Sequence, residues 1–256
     1  MASVWRAVVA APEGSPMRGR YAVTPPRAAP PSPATDQHQA DLRTDRRPAE
    51  LAVGPDELLV ELSAGEAAGT RWVCWSAAAV LPPIVARGLR PARLWDVAEA
   101  HRLLAGGWRA DPGVAHALAH GLPIGEVPAP TGGDLFDLVS LEGQDEQSLV
   151  TVGGFLRPDA LSGTWLTTPA RLALWAVSAL ETALRQLALL RAHDPRGELT
   201  AYAESAAALM CVELEHDGLP VDRTEAERLI AEAAGPRTVD EADARRIRAA
   251  RDQVVL

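Results

Sequence analysis

The pattern of hydrophobic and polar positions differs between the N-terminal and C-terminal parts of this chain. Near the start, residues 4–9 (VWRAVV) and 20–23 (RYAV) are short β-prone runs that predict an opening hairpin. Two further strands are predicted over 71–75 (RWVCW) and 94–97 (LWDV). Helical patterns over 55–63, 77–87, 98–104 and 111–120 alternate with these strands. Such alternation predicts an α/β (α+β) fold, in which helices cover a mixed sheet.

In the C-terminal part of the chain, apolar residues have the spacing that is typical of helices. Apolar residues recur every three or four positions over 169–192, which predicts one long helix. The same spacing recurs in a second set, which predicts another helix that stops at Gly218 and Pro220. That set is Leu199, Ala203, Ala206, Ala207, Met210 and Leu214. Asp222 with Glu225, and Thr238 with Glu241, are capping-box pairs that predict two further helices on either side of Gly235-Pro236.

Two segments lack the apolar residues that a packed element needs. Residues 24–50 are rich in Pro, Arg and Asp, and they are expected to form a flexible insert. Residues 121–159 are acidic and punctuated by Gly and Pro, which predicts a long connection with one short helix around 134–141.

Composition narrows the classes of function. The 256 residues carry a formal net charge of −9 and a pI near 5.2, which argues against tight unaided binding of nucleic acid. No uninterrupted run of about eighteen apolar residues occurs, so no membrane partner is expected. Cys74 and Cys211 are too few for a disulfide framework, and Arg6 interrupts the only segment resembling a leader. A cytoplasmic location is therefore expected.

Four stretches in a fixed order resemble the N-terminal part of the actinobacterial-type bifunctional 3'-5' exonuclease/DNA polymerase proteins, which belong to family A. They are RWVCWSAAAVLPPIVARGLRPARLWDVAEAHRLLAG at 71–106, ARLALWAVSALETALRQLALL at 170–190, ESAAALMCVELEHDGLPVDRTEAERLIAE at 204–232 and GPR at 235–237. The resemblance implies a ribonuclease-H-like 3'-5' exonuclease fold over residues 1–195. Residues 196–256 would then form the helical start of the polymerase thumb.

An exonuclease of that kind needs four carboxylates around two divalent metal ions. The resemblance implies an Asp-x-Glu pair on the first strand, yet residues 3–12 contain no acid. It also implies an Asp just after the strand RWVCW, where Ala77 lies within the sequence SAA. On the long helix, Trp175 and Ala179 stand where active relatives have a Tyr and an Asp.

Asp96 is present after the strand LWDV, and it is a weak catalytic candidate because one carboxylate cannot replace four. The resemblance implies that an acid after that strand is a helix cap or a structural hydrogen-bond acceptor. The exonuclease-like domain is therefore expected to be degenerate, with no catalytic residue, no metal site and no cofactor. Mg²⁺ or Mn²⁺ would be required only if non-standard ligands kept the exonuclease active, so whether the chain is an enzyme stays open.

Three other groups of residues suggest binding. His116 and His120 have the i, i+4 spacing of metal ligands but no evident third ligand. The seven Trp residues are expected to pack in the core, with base stacking as the alternative. The basic cluster Arg245, Arg246, Arg248 and Arg251 is the candidate for contacting DNA, although interleaved acids could pair with it instead.

Three hypotheses remain. The first is a family A polymerase relative without a palm, inactive alone, with a weak DNA-binding or scaffold role in replication or repair. The second is an active 3'-5' exonuclease with non-standard ligands. The third is an interaction module whose helical stripe within 169–214 docks a partner, such as a separately encoded polymerase part.

Overall fold

A computed structural model describes residues 4–12, 14–28, 54–130, 145–234 and 240–254. Most of the predicted insert at 24–50, the short helix at 134–141 and the residues Gly235, Pro236 and Thr238 lie outside the described residues. The chain divides into two compact units, Met1–His216 and Asp217–Leu256. The division predicted at 195/196 concerns ancestry, and it stays a prediction.

The first unit contains a mixed sheet. Its strands are β1 (Val4–Ala10), β2 (Tyr21–Val23), β3 (Arg27–Ala28), β4 (Arg71–Cys74) and β5 (Leu94–Asp96). They lie in the order β2-β1-β4-β5, and β3 pairs with the other end of β1. β2 and β3 run antiparallel to β1, whereas β1, β4 and β5 are mutually parallel. The opening hairpin and the mixed α/β fold are thus confirmed.

Helices cover both faces of this sheet. They are α1 (Pro55–Ala67), α2 (Ala77–Val80), α3 (Pro82–Val85), α4 (Val97–Ala105), α5 (Pro112–Ala119), α6 (Pro158–Leu161), α7 (Pro169–His193) and α8 (Gly197–Asp217). The single helix predicted over 77–87 is wrong, because α2 and α3 are separated at Leu81. Pro82 and Pro83 cause the break, since proline has no N–H to donate and its ring clashes with the preceding turn.

Side chains of the strands alternate between two buried layers. Trp5, Val73 and Trp95 face a core formed with α7, while Val8, Trp72 and Leu94 face a second core that includes Leu58 of α1 and Leu209 of α8. Both faces are buried because helices lie on both sides of the parallel strands, as is usual for such sheets. α7 is long and apolar enough to cross a membrane, but 67% of its apolar window is buried inside the protein, where it acts as the central core helix.

α8 covers the free edge of β5. The backbone N–H of Asp96 donates to Ser205 Oγ at 2.9 Å, and that hydroxyl donates to the carbonyl of Ala201 at 2.7 Å. This contact satisfies an edge donor that would otherwise be available to another strand. It also orients α8, so that Ala201, Ser205, Leu209 and Val212 are buried. The residues whose spacing predicted this helix are exposed at Leu199, Ala203, Ala206, Met210 and Leu214.

The second unit contains α9 (Arg223–Ala234) and α10 (Glu241–Val254). The cap predicted at Asp222 is confirmed, because its Oδ1 accepts from the N–H of Glu225 at 3.1 Å. The reciprocal half of the box is replaced by an ion pair, in which the Glu225 carboxylate binds Arg228 at 2.6 Å.

Candidate functional site

The candidate site lies where the carboxyl ends of the parallel strands meet α7. β1 and β4 are direct neighbours, and α7 packs across β1. An active exonuclease of the suggested type would bring its carboxylates together in such a place. The nature of the side chains found there therefore decides what chemistry is available.

Two indoles and a methyl group fill this position. The rings of Trp75 and Trp175 lie with their centroids 4.9 Å apart and their planes tilted by 39°. Both side chains are buried, and Ala179, one turn along α7 from Trp175, is completely buried in the same core. None of these three side chains offers an oxygen ligand for a hard divalent cation.

The structure brings only some of the expected positions together. Trp175 and Ala179 lie on the α7 side of the sheet, whereas Ala77 belongs to the core on the opposite side. The residue at the end of β4 that reaches α7 is Trp75. On β1 the one charged side chain, Arg6, donates from Nε to the carbonyl of Thr24 and pairs with Glu61 at 3.1 Å.

Asp96 connects the turns that follow β4 and β5. Its Oδ2 accepts from the N–H of Ala77 at 2.6 Å, and its Oδ1 accepts from the N–H groups of Ala98 and Glu99 at 2.8 and 3.2 Å. The residue is 1% exposed, and both carboxylate oxygens are engaged by backbone donors. The helix-cap role expected for Asp96 is confirmed for α4.

Burial dominates the electrostatics of Asp96. It raises the pKa of this carboxyl to about 6, and the three backbone hydrogen bonds oppose that rise because they favour the charged form. The neighbouring Cys74 is fully buried, and its pKa is raised mainly by burial and then by the charge of Asp96. A thiol held neutral in this way is a poor nucleophile.

The histidine pair on α5 is a packed stack. The rings of His116 and His120 are 3.9 Å apart, His116 Nε2 contacts the carbonyl of Gly154 at 3.1 Å, and His120 Nδ1 contacts the carbonyl of His116 at 2.8 Å. Burial, followed by the nearby His120, lowers the pKa of His116 to about 3. Within the described part of the chain, no group of three or more potential ligand side chains could hold a metal ion.

The basic cluster lies on α10. Arg245, Arg246 and Arg248 are exposed, and Arg246 pairs with Asp243 at 2.9 Å. The Nε groups of Arg245 and Arg248 donate to carbonyls of their own helix, each at 3.3 Å. The backbone of Arg251 continues the helix, but its side chain lies outside the described residues. Of the interleaved acids, Asp243 therefore pairs with Arg246, whereas Arg245 and Arg248 contact backbone carbonyls of α10 itself.

Six of the seven Trp side chains are buried, in agreement with the packing role expected for them, and Trp108 is the exception at 96% exposed.

Sequence patterns did not identify Gln186, whose side chain is fully buried on α7. Its Oε1 accepts from Trp95 Nε1 at 3.1 Å, and its Nε2 donates to the carbonyl of Val97 at 2.9 Å. The only available signal was a polar residue next to the apolar stripe of the long helix.

No protein-family model, curated protein or solved structure matches this chain. The geometry and the residues quoted for the family A resemblance therefore carry the functional argument.

Proposed function

We propose that the protein is a non-catalytic relative of the family A DNA polymerases with a role in DNA replication or repair. In this proposal residues 1–195 are a degenerate exonuclease-like domain of the ribonuclease-H-like type, and residues 196–256 are the helical start of a polymerase thumb. The protein would contribute weak DNA binding or a scaffold rather than bond cleavage.

The contact between Trp75 and Trp175 carries this proposal. Two-metal hydrolysis needs several carboxylates whose oxygens converge on the ions. At the junction of β4 and α7 the two buried indoles and the methyl group of Ala179 occupy that space. The acid that remains nearby, Asp96, directs both oxygens to backbone N–H groups. The sheet agrees with the proposal at a coarser level, because an antiparallel opening hairpin is followed by parallel strands.

A nuclease assay tests the catalytic half of the proposal. A duplex with a labelled, recessed 3' end is incubated with the protein and either Mg²⁺ or Mn²⁺. We expect no trimming with either ion. Metal-dependent trimming that is lost in Asp96→Asn would contradict the proposal and support the alternative of an exonuclease with non-standard ligands. A mixing control with an unrelated 3' exonuclease excludes inhibition by the buffer.

DNA binding is tested separately by fluorescence anisotropy with a labelled duplex. The double variant Arg245→Ala, Arg248→Ala removes the two arginines that donate to helix carbonyls. The matched control is Arg223→Ala, Arg228→Ala on α9, whose guanidinium groups pair with glutamates. Each lost phosphate contact should make the negative slope of log K against log salt shallower by about 1. Equal losses of DNA affinity in the two double variants would show that α10 is not the DNA-binding surface.

A second candidate function, the docking of a partner protein, is favoured by the exposed apolar side chains on α8. Leu199, Met210 and Leu214 are 68%, 53% and 40% exposed, although they lie on a helix that is fixed to the core. A separately encoded polymerase part is the partner we propose for this function. Such a partner should raise the thermal stability of the wild-type chain by mass action, and it should have a smaller effect on Met210→Glu. Equal stabilisation of both proteins would exclude the α8 row as the docking surface.

A further inference from the structure

An uninterrupted apolar row lies on the outer face of α8. It consists of Leu199, Ala203, Ala206, Met210 and Leu214, all of them exposed, and is called the α8 row below. Monomeric proteins rarely expose contiguous apolar patches larger than a few hundred Å², and such larger patches often mark interaction sites. The opposite face of α8 packs against both cores through Ala201, Leu209 and Val212, so the helix cannot turn the row inwards.

α8 is held in place at more than one point. The Ser205 hydroxyl binds the edge of β5, and near the start of the helix the Glu198 carboxylate accepts from Arg191 and from the Tyr202 hydroxyl, both at 2.6 Å. A surface supported in this way is pre-organised, which lowers the conformational cost of binding.

The first four residues of the α8 row are spaced like the seam of a two-helix coiled coil, whereas Leu214 follows Met210 by four residues instead of three. Steps of four, three and four residues join Leu199, Ala203, Ala206 and Met210, and these steps are the a and d spacing of a heptad repeat. Alanine at the two central positions allows a second helix to approach closely. The larger side chains are at the two ends of the row.

We propose that the occupant of the α8 row is a second copy of this chain, with its α8 antiparallel to the first. When the half-buried Ala207 is added, the row is self-complementary about a centre between Ala206 and Ala207. In that arrangement Leu199 lies opposite Leu214 of the partner subunit, and Ala203 lies opposite Met210 of the partner subunit. Large side chains thus face small ones next to the centre, while the leucines close both ends of an isologous, two-fold interface.

Charges near the ends of the row agree with this orientation. Arg196 precedes the helix and Asp217 ends it, so the antiparallel arrangement places opposite charges together at both ends. Glu198 would lie near Glu215 of the partner subunit, but Arg191 already pairs with Glu198 within the chain. The net charge of −9 on each copy opposes association, so added salt should strengthen the dimer rather than weaken it.

The dimer should be weak. One pair of helices with two central alanines buries less surface than the roughly 1,200 Å² at which specific stable interfaces begin. We therefore expect weak association, and a dissociation constant on the order of 100 µM sets the concentration range of the test. This inference concerns the same exposed α8 row as the second candidate function, but it names a different occupant.

Sedimentation velocity of the full chain over a range of concentrations around that constant tests the inference. Wild type should shift from monomer to dimer, and Met210→Glu should remain monomeric. The matched control is Val60→Glu, because Val60 is 69% exposed on α1 and lies outside the row. A wild-type chain that is monomeric throughout, or equal loss of dimer in both variants, would overturn the proposal. Partner docking would survive a monomeric wild type, so failure of the two proposals can be distinguished.

Crosslinking tests the orientation. In a Cys211→Ser background, which removes the exposed native thiol, Ala206→Cys and Leu199→Cys are treated with a short bismaleimide. In the antiparallel pair, equivalent positions are one residue apart along the axis for Ala206 and fifteen for Leu199, which is about 1.5 Å and about 22 Å at helical rise. Only Ala206→Cys should form covalent dimers. Equal crosslinking at Leu199→Cys would overturn the antiparallel arrangement.

Discussion

Replacing Asp96 gives the most direct test of how this fold is held together. In Asp96→Ala three backbone N–H groups lose their acceptor, those of Ala77, Ala98 and Glu99. Loss of a helix cap costs about 1 kcal/mol, and an unsatisfied buried N–H costs about 1–3 kcal/mol. We therefore expect Asp96→Ala to lower the free energy of unfolding by about 2–4 kcal/mol. Asp96→Asn should cost less than Asp96→Ala, because asparagine can still cap α4 but cannot accept from the N–H of Ala77.

The difference in free energy of unfolding between wild type and Asp96→Asn should change with pH in a defined direction. The pKa of Asp96 is raised from 3.8 to about 6 in the folded protein, so the folded state holds the proton more tightly than the unfolded state. The stability gained from that proton is present below pH 4 and is lost as the pH rises through 6. A shift of two pKa units is worth about 3 kcal/mol, which sets the largest change expected between these limits. The side chain of Asp96→Asn cannot titrate. As the pH rises from 4 through 6, the free energy of unfolding of wild type minus that of Asp96→Asn should therefore fall by up to about 3 kcal/mol.

Urea denaturation at several pH values between 4.5 and 7.5, followed by tryptophan fluorescence, measures the effect. All seven tryptophans lie in the first unit, so the signal reports the part of the protein that contains Asp96. Subtracting the variant from wild type removes the opposite contribution of His116, whose lowered pKa makes stability fall as the pH falls below 6.5. Plots of the free energy of unfolding against pH that run parallel for wild type and Asp96→Asn would refute the reasoning, since they would show that burial does not favour the protonated carboxyl.

Two further substitutions test the packing around the sheet. Gly65→Ala would place a Cβ 2.2 Å from the Trp72 ring, and it should destabilise the protein by about 1–3 kcal/mol in thermal denaturation. The control Gly125→Ala should have little effect, because no atom lies within 4 Å of the new Cβ. Gln186→Leu leaves Trp95 Nε1 and the carbonyl of Val97 without their partner and should cost about 2–4 kcal/mol in the same measurement, because two buried polar groups lose hydrogen bonds. A stability equal to wild type for Gln186→Leu would show that water replaces the amide at both groups.

Local patterns were sufficient for most elements of the fold. The β-prone runs near the start became β1 and β2, and the apolar stripe over 169–192 became α7. The prediction at 77–87 failed because helical spacing of apolar residues was given more weight than the two consecutive prolines. In α8 the spacing identified the helix but not its buried face, because alanines occur on both faces and burial was decided by contacts distant in sequence, such as that between Ser205 and Asp96.

The candidate site was predicted only in part for the same reason. The cap at Asp96 was implied by the family A resemblance, and a carboxylate placed between a strand and a helix is a local signal that agrees with it. The role of Trp75 was missed, because alternation along a strand does not show which face a helix from a distant part of the chain will cover. Gln186 was missed because its two partners are about ninety residues away along the chain, at 95 and 97.

The buried aromatic contact also indicates that a single acid introduced beside it would not create a metal site. A carboxyl group at position 179 would replace a completely buried methyl group in the core that contains Trp75 and Trp175. Without cations or other carboxylates to share the ions, burial would raise its pKa and keep it protonated, and a neutral acid is a poor metal ligand. Carboxylates and metal ions stabilise one another only as a set, so one acid among these indoles would not assemble a metal centre. The proposed non-catalytic role therefore rests on the buried cluster as a whole rather than on any single residue.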